Sequence, residues 1–269
     1  MIFLVDPEIW LYFPRVNASL PIGRAGLSAH LNDLILQEDY RKWYSHHLGR
    51  DIEMLVYGHW GYPVLLFPTS MGRYYQNKDF GLIDTVREAV EAGKIKIYCI
   101  DSIDSDSWYA KHLAPSMRIH NHNWYDRMLH EELVPMIQHE CQTPRLAAGG
   151  CSFGGYQALN FAFRHPEQVS HLWSMGAAFD IRQFLDGYYD DNVYFNNPPD
   201  YLPNAHNEHY YRMQIILGTS VHDFCRGANE HMSHILNQKG IQHWLDIRPW
   251  GEHDWPVWRE MFAQYVNQL

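Results

Sequence analysis

Ala148-Gly149-Gly150-Cys151-Ser152-Phe153-Gly154-Gly155-Tyr156 lies between a short apolar run, Leu146-Ala147-Ala148, and a stretch from Tyr156 to Arg164 that reads as a helix closed by Pro166. At its centre is Gly150-x-Ser152-x-Gly154. A serine at the tip of a tight strand-to-helix turn needs small residues two positions before and after it, because the backbone folds back on itself and side chains there would collide. The same turn sets Ser152 at the strand's end and the helix's start, where backbone N–H groups converge on a carbonyl under attack. The stretch therefore predicts a nucleophilic serine; a glycine-rich turn with a capping serine is the plain structural alternative.

Outward from this turn the chain alternates strand and helix. Tyr40–His47 and Ile52–Tyr57 read as a hairpin joined through Gly49-Arg50-Asp51. Pro63-Val-Leu-Leu-Phe-Pro68 is the near-continuous apolar run of a strand covered on both faces. A helix is expected over Leu82–Ala92, a strand over Ile95–Ile100 and a helix over Trp124–His139. Strands follow at Val169–Met175, Met213–Leu217 and Trp244–Ile247, with helices at Asn229–Asn237 and Trp258–Val266. This predicts one α/β domain over 39–269, built on a doubly covered, mostly parallel sheet entered by an antiparallel hairpin. Residues 1–38 are expected to be an N-terminal extension, whose apolar opening either covers a sheet edge or makes a homo-oligomer contact. Two loop insertions, 101–122 and 179–211, are too long for ordinary connections and are expected to form rims or lids.

Composition narrows the function. The 269 residues are 46% hydrophobic, 15% aromatic and 19% charged, enough to bury a sizeable core. Twenty-one basic against 31 acidic residues give a net charge of −10, and no Lys/Arg run offsets it, so no nucleic-acid partner is expected. The four cysteines are far apart, which fits structural thiols better than a disulfide or zinc framework. No apolar run is long enough for a membrane span, and Asp6, Pro7 and Glu8 interrupt the opening segment, so a cytoplasmic protein is expected. Asn17-Ala18-Ser19 is a glycosylation sequon by pattern only. Tyr188-Tyr-Asp-Asp-Asn192 lacks calcium-loop spacing, and neither a metal nor a cofactor is expected.

A serine hydroxyl needs a general base within hydrogen-bond reach, oriented by a carboxylate. In this architecture the chain order is Ser, acid, His. His253, in Gly251-Glu-His-Asp-Trp-Pro256, follows the last strand and precedes the terminal helix, so it is the expected base. Asp223, in the loop after Met213–Leu217, is the expected acid. Asp246 lies within a strand, and Asp254 adjoins the histidine too closely to orient it. The oxyanion hole should combine the backbone N–H of Phe153 with one from Pro68-Thr-Ser-Met-Gly72, with Ser70 as first choice and Met71 as second.

These segments resemble the putative-esterase family of α/β hydrolases, the group that includes esterase D-like enzymes, feruloyl esterases and the antigen 85 mycolyltransferases. The likeness runs from about Tyr40 to Tyr265. It rests on Phe67-Pro-Thr-Ser-Met-Gly72, Gly150-Cys-Ser-Phe-Gly154, Gly218 through Asp223, and Glu252-His-Asp-Trp-Pro-Val-Trp258. The resemblance implies an α/β-hydrolase fold and a serine carboxylesterase acting on a small-molecule ester, with Ser152, Asp223 and His253 as its triad. The family also contains acyltransferases, so an alcohol could replace water as acceptor; a non-catalytic binding protein on the same fold is the third reading. Trp108, Tyr109 and Tyr188 are candidates for a substrate pocket beside the serine.

Overall fold

The computed structural model describes residues 36–269. The expected N-terminal extension, apart from its last three residues, and the sequon lie outside the described residues. The strands are β1 (Glu38–Ser45), β2 (Arg50–Tyr57), β3 (Tyr62–Phe67), β4 (Ile95–Ile100), β5 (Leu146–Cys151), β6 (Val169–Met175), β7 (Gln214–Ser220) and β8 (Trp244–Arg248). They form one eight-stranded sheet in the order β1-β2-β4-β3-β5-β6-β7-β8. β1 and β2 are an antiparallel hairpin, β2 joins β4 antiparallel, and every later pairing is parallel. This is the mostly parallel sheet with an antiparallel entry that the apolar runs predict.

Short helices α1 (Gln76–Asp79) and α2 (Arg87–Glu91) separate β3 from β4. Next come α3 (Pro115–Met128), a π-turn at Leu129–Leu133 and α4 (Val134–Cys141). α5 (Phe153–Arg164) follows β5, while α6 (Asp191–Tyr194) and α7 (Pro198–Tyr201) stand between β6 and β7. α8 (Arg226–Gln238) and α9 (Trp255–Val266) flank β8. Side chains alternate along the central strands: Leu65 and Phe67 join the core under α3, α4, α5 and α8, while Val64 and Leu66 join the core under α9. Both faces are thus covered, as continuous apolar strands require.

The reading of 101–122 as loop is corrected. α3 begins at Pro115, whose ring fixes the backbone angle a first helical turn needs. The polar run that follows hides its amphipathic character, because the residues it buries include Arg118, Ile119 and His122. Arg118 is held there by the carbonyls of Ala110, Leu113 and Phe184 and by Asp186. The 179–211 stretch carries only short helical turns, among them α6, where Asp190 caps the helix by accepting the Val193 N–H at 3.0 Å.

The chain leaves β3 toward β4 and returns across to β5 on β3's other side, so the carboxyl ends of β3 and β5 lie together where the strand order reverses. Open α/β sheets offer a crevice at such a point. Leu66, fully buried in β3, anchors this region. Leu66→Ala should lower unfolding free energy by about 2–5 kcal/mol, measured by urea denaturation, because the closely packed sheet cannot collapse into the cavity.

Candidate functional site

The turn from β5 into α5 is as sharp as its glycines imply. Ser152 has φ 54° and ψ −123°, a conformation that side-chain-bearing residues rarely adopt. It is pinned by its N–H, which donates to the Met175 carbonyl at 2.7 Å. A Cβ at Gly150 would lie 2.4 Å from the carbonyl carbon of Gly154, and one at Gly154 would lie 2.5 Å from the Pro68 carbonyl oxygen. Both positions therefore require glycine. The second clash also shows how closely α5 approaches the loop after β3. Helix α5 begins at Phe153, three residues earlier than the periodicity suggests, so the Phe153 N–H stands at its amino end.

Two loops from further along the sheet bring the other groups to Ser152. After β7, Asp223 is buried, and its Oδ1 accepts the Cys225 N–H at 2.7 Å. After β8, the Ser220 hydroxyl donates to the Gly251 carbonyl at 2.7 Å and ties the two loops together. His253 Nδ1 is 2.9 Å from Asp223 Oδ1, and His253 Nε2 is 2.9 Å from Ser152 Oγ. The carboxylate accepts Nδ1–H, which leaves Nε2 free of a proton and facing the hydroxyl. The imidazole packs against Phe224, with ring centres 4.1 Å apart, and meets Trp258 edge-on at 4.9 Å. Asp254, next to the histidine, instead caps α9 by accepting the Trp255 N–H. Asp246 accepts from Tyr265 and pairs with Arg248.

Gly176, just beyond β6, is a feature that motif reading passed over. Its φ is +63°, and an added Cβ would lie 2.9 Å from Asp223 Oδ2, 2.8 Å from Trp258 Nε1 and 3.4 Å from His253 Nδ1. Its missing side chain makes room for the carboxylate. The local pair Gly176-Ala177 gives no hint of this, because the neighbours come from residues 223, 253 and 258.

The loop after β3 forms the opposite wall. The Met71 N–H donates to Asp104 Oδ2 at 2.9 Å, so it is already taken. Among the described residues the N–H groups of Ser70 and Phe153 have no hydrogen-bond partner. Of the two loop candidates, Ser70 is thus the one with a donor to offer.

Trp108, Tyr109 and Tyr188 come together in one aromatic cluster with Phe153, Tyr156 and Phe184. Trp108 has no exposed surface and packs edge-on to Phe153 at 6.2 Å, so it supports the wall rather than facing a ligand. Tyr109 is half-buried and stacks obliquely on Phe184 at 5.2 Å. Tyr188 is also half-buried, and its hydroxyl donates to Asp190.

Two sets of side chains among the described residues have metal-ligand composition. Asp223, Cys225 and His253 form one, but Asp223 and His253 already bond to each other, and burial pushes the Cys225 thiol up. His130, His165 and Glu167 form the other at the far end of α5, where His165 pairs with Asp126 and His130 meets Gln168. All four cysteines are buried and free.

A family model described as "Putative esterase" matches residues 45–269. Solved structures are also similar. A ferulic acid esterase shares 16% identity with a TM-score of 0.69, covering 86% of this chain and 96% of its own. An S-formylglutathione hydrolase from Staphylococcus aureus shares 14% identity with a TM-score of 0.66, covering 87% and 96%. Another from Agrobacterium tumefaciens shares 13% identity with a TM-score of 0.69, covering 86% and 93%. At such identities the likeness establishes the fold. No curated protein sequence matches the chain.

The Gly176 geometry can be tested directly. Gly176→Ala should shift the Asp223 carboxylate away from His253, lowering kcat about tenfold or more with KM little changed, while the positive φ costs about 1–2 kcal/mol in stability. Steady-state kinetics on a chromogenic ester and thermal melting would read the two effects separately.

Proposed function

The chain belongs to the putative esterase family and is a carboxylic ester hydrolase by class, and we propose that it works as a serine esterase through an acyl-enzyme on Ser152. The observation that carries this reading is the continuous line of hydrogen bonds from Ser152 Oγ through the His253 ring to Asp223, each link 2.9 Å. Three side chains separated by 71 and 30 residues converge with the donor and acceptor order that proton transfer needs.

In this reading Ser152 Oγ attacks the ester carbonyl carbon as His253 Nε2 takes the hydroxyl proton. The tetrahedral oxyanion is received by the N–H groups of Phe153 and Ser70. Removing one such donor from a hydrolase costs about 3 kcal/mol of transition-state stabilisation. His253 then gives its proton to the departing alcohol oxygen as the C–O bond breaks, leaving the acyl group on Ser152. Water, deprotonated by the same imidazole, attacks the acyl carbon and releases the acid. Asp223 keeps the imidazole in the productive tautomer and stabilises its charged form in both halves.

The aromatic wall beside Phe153 supports a compact, apolar or aromatic acyl group, with Tyr109 and Phe184 offering partly exposed ring surface. Among the similar structures, two are ferulic acid esterases, a name that matches such a group. The exposed side chain of Met71, on the loop that carries Ser70, adds apolar surface beside it. No helix among the described residues is long and apolar enough to cross a membrane.

Hydrolysis of short-chain and aromatic p-nitrophenyl esters tests the assignment. Ser152→Ala should lower kcat at least about 10³-fold, and His253→Ala should do the same, with the double variant little worse than either alone because the residues act as a unit. Equal rates in wild type and Ser152→Ala would sink the proposal. A fluorophosphonate should add its mass at Ser152, and only in protein that retains His253.

A further inference from the structure

One buried carboxylate lies beside this machinery without a part in it. Asp104, in the single helical turn Asp104–Asp106 after β4, is 2% exposed. Its Oδ2 accepts the Met71 N–H at 2.9 Å. The side-chain amide of Gln157 faces the same carboxylate from α5, one turn beyond Phe153. Asp104 therefore holds one wall of the proposed oxyanion hole, the loop that carries Ser70, and stands near the other, the helix that begins with Phe153.

The loop's conformation gives that contact a purpose. Thr69 to Gly72 is a tight turn closed by the Gly72 N–H donating to the Thr69 carbonyl at 2.9 Å. Met71, third in the turn, has φ +56° and is half exposed. A turn of this form normally has glycine or asparagine there, and a methionine favours the alternative in which the central peptide is rotated and φ is negative. The rotated form would swing the Met71 N–H away from Asp104. Around the turn, Asp101 accepts from Arg73 Nε and the Tyr74 N–H, and the Ser102 hydroxyl donates to the Gly72 carbonyl at 2.8 Å, so the neighbouring residues are held from the same side.

Resting on the acyl-enzyme reading, we propose that Asp104 is a positioning residue. Its carboxylate, by holding the Met71 N–H, fixes the Thr69–Gly72 turn that carries the Ser70 N–H.

The charge is held at a cost to folding. Burial, reinforced by the Asp101 carboxylate, pushes Asp104 up to about 7. Arg73, the cation on the adjoining loop, is engaged by Asp101 and Glu53. Tyr109, Tyr125 and Tyr156 are the other titratable groups in range, and all are neutral near pH 7 because burial raises them further. A carboxyl raised above its unfolded value of about 3.9 gives its full favourable contribution only below that value and loses it as pH climbs toward 7. Its ionised form is the better acceptor for the Met71 N–H. Catalysis therefore wants the form that folding disfavours.

The experiment compares wild type, Asp104→Asn and Asp104→Ala in p-nitrophenyl ester hydrolysis from acidic to alkaline pH. It adds binding of an alkyl trifluoromethyl ketone, which forms a tetrahedral oxyanion on the serine. We expect kcat to fall about tenfold in Asp104→Asn and further in Asp104→Ala, with KM within about twofold and ketone affinity falling in proportion. The acid limb of the wild-type rate profile should reflect two protonations, one on the general base and one on Asp104, and the asparagine variant should show one. At alkaline pH the asparagine variant should melt higher than wild type. Unchanged kcat and ketone affinity in both variants would overturn the inference, as would a loss of rate that tracks a lowered melting temperature. Turnover that requires Ser152 but ignores Asp104 refutes only this inference, whereas turnover indifferent to Ser152 ends the acyl-enzyme reading as well.

Discussion

The strained backbone of Ser152 is the constraint on which the rest of the molecule depends. Holding a residue with a side chain at φ 54° and ψ −123° costs about 1–3 kcal/mol, so the surrounding structure must over-determine it. Three features do so. The Ser152 N–H is tied to β6 through Met175, Gly150 and Gly154 let the backbone double back, and α5 is buried along its length from Phe153 to Phe163. A helix buried on every side cannot shift to relieve the turn. The strain is thus fixed in place by packing, and the hydroxyl projects from the sheet's edge in one direction only.

Everything else at the site is placed relative to that hydroxyl by the parallel sheet. The loops after β3, β6, β7 and β8 all leave from the same edge as Ser152, and each contributes something different: the Ser70 N–H, empty space at Gly176, a carboxylate, and an imidazole. The Ser220–Gly251 hydrogen bond couples the loops that supply Asp223 and His253. Trp258, at the start of α9, then fixes the plane of the imidazole, while Trp255 stacks on Phe80 with ring centres 4.6 Å apart and anchors that helix. The two tryptophans of α9 divide the work in this way.

How much was legible in the sequence follows from how local each cause is. The elbow could be read because its steric requirement falls on residues two positions from the serine. Asp223 and His253 could be read because parallel strands send their following loops to one edge in a fixed chain order. The start of α3 could not, since its first turns are polar and are buried by Arg118 meeting carbonyls and a carboxylate from distant loops. Gly176 was invisible for a related reason: the space it leaves is filled by side chains 47 to 82 residues further on. Asp104 falls in the stretch 101–122, which the sequence marks only as a loop insertion. Its pairing with Met71 depends on β3 and β4 being neighbours, which periodicity does not specify.

Some of the unsatisfied polar atoms follow the same geometry. Buried side-chain atoms without a partner among the described residues include Asp223 Oδ2, Trp258 Nε1, Asp104 Oδ1, Trp108 Nε1 and His122 Nδ1. Two of these adjoin Gly176, one adjoins the turn bearing Ser70, and two belong to the aromatic wall behind Phe153, where burial holds the His122 imidazole neutral by pushing it down to about 3. Each such group costs about 1–3 kcal/mol relative to a satisfied one. Elsewhere the chain meets comparable demands with partners: Lys96 and Arg41 share Glu140, and Arg164 and His165 share Asp126. Asn77, Arg145, Thr219 and Asn229 each hold one such atom as well, so the region around Ser152 shares its unmet polar valence with other parts of the interior, while the charged clusters at Glu140 and Asp126 are satisfied by direct pairing.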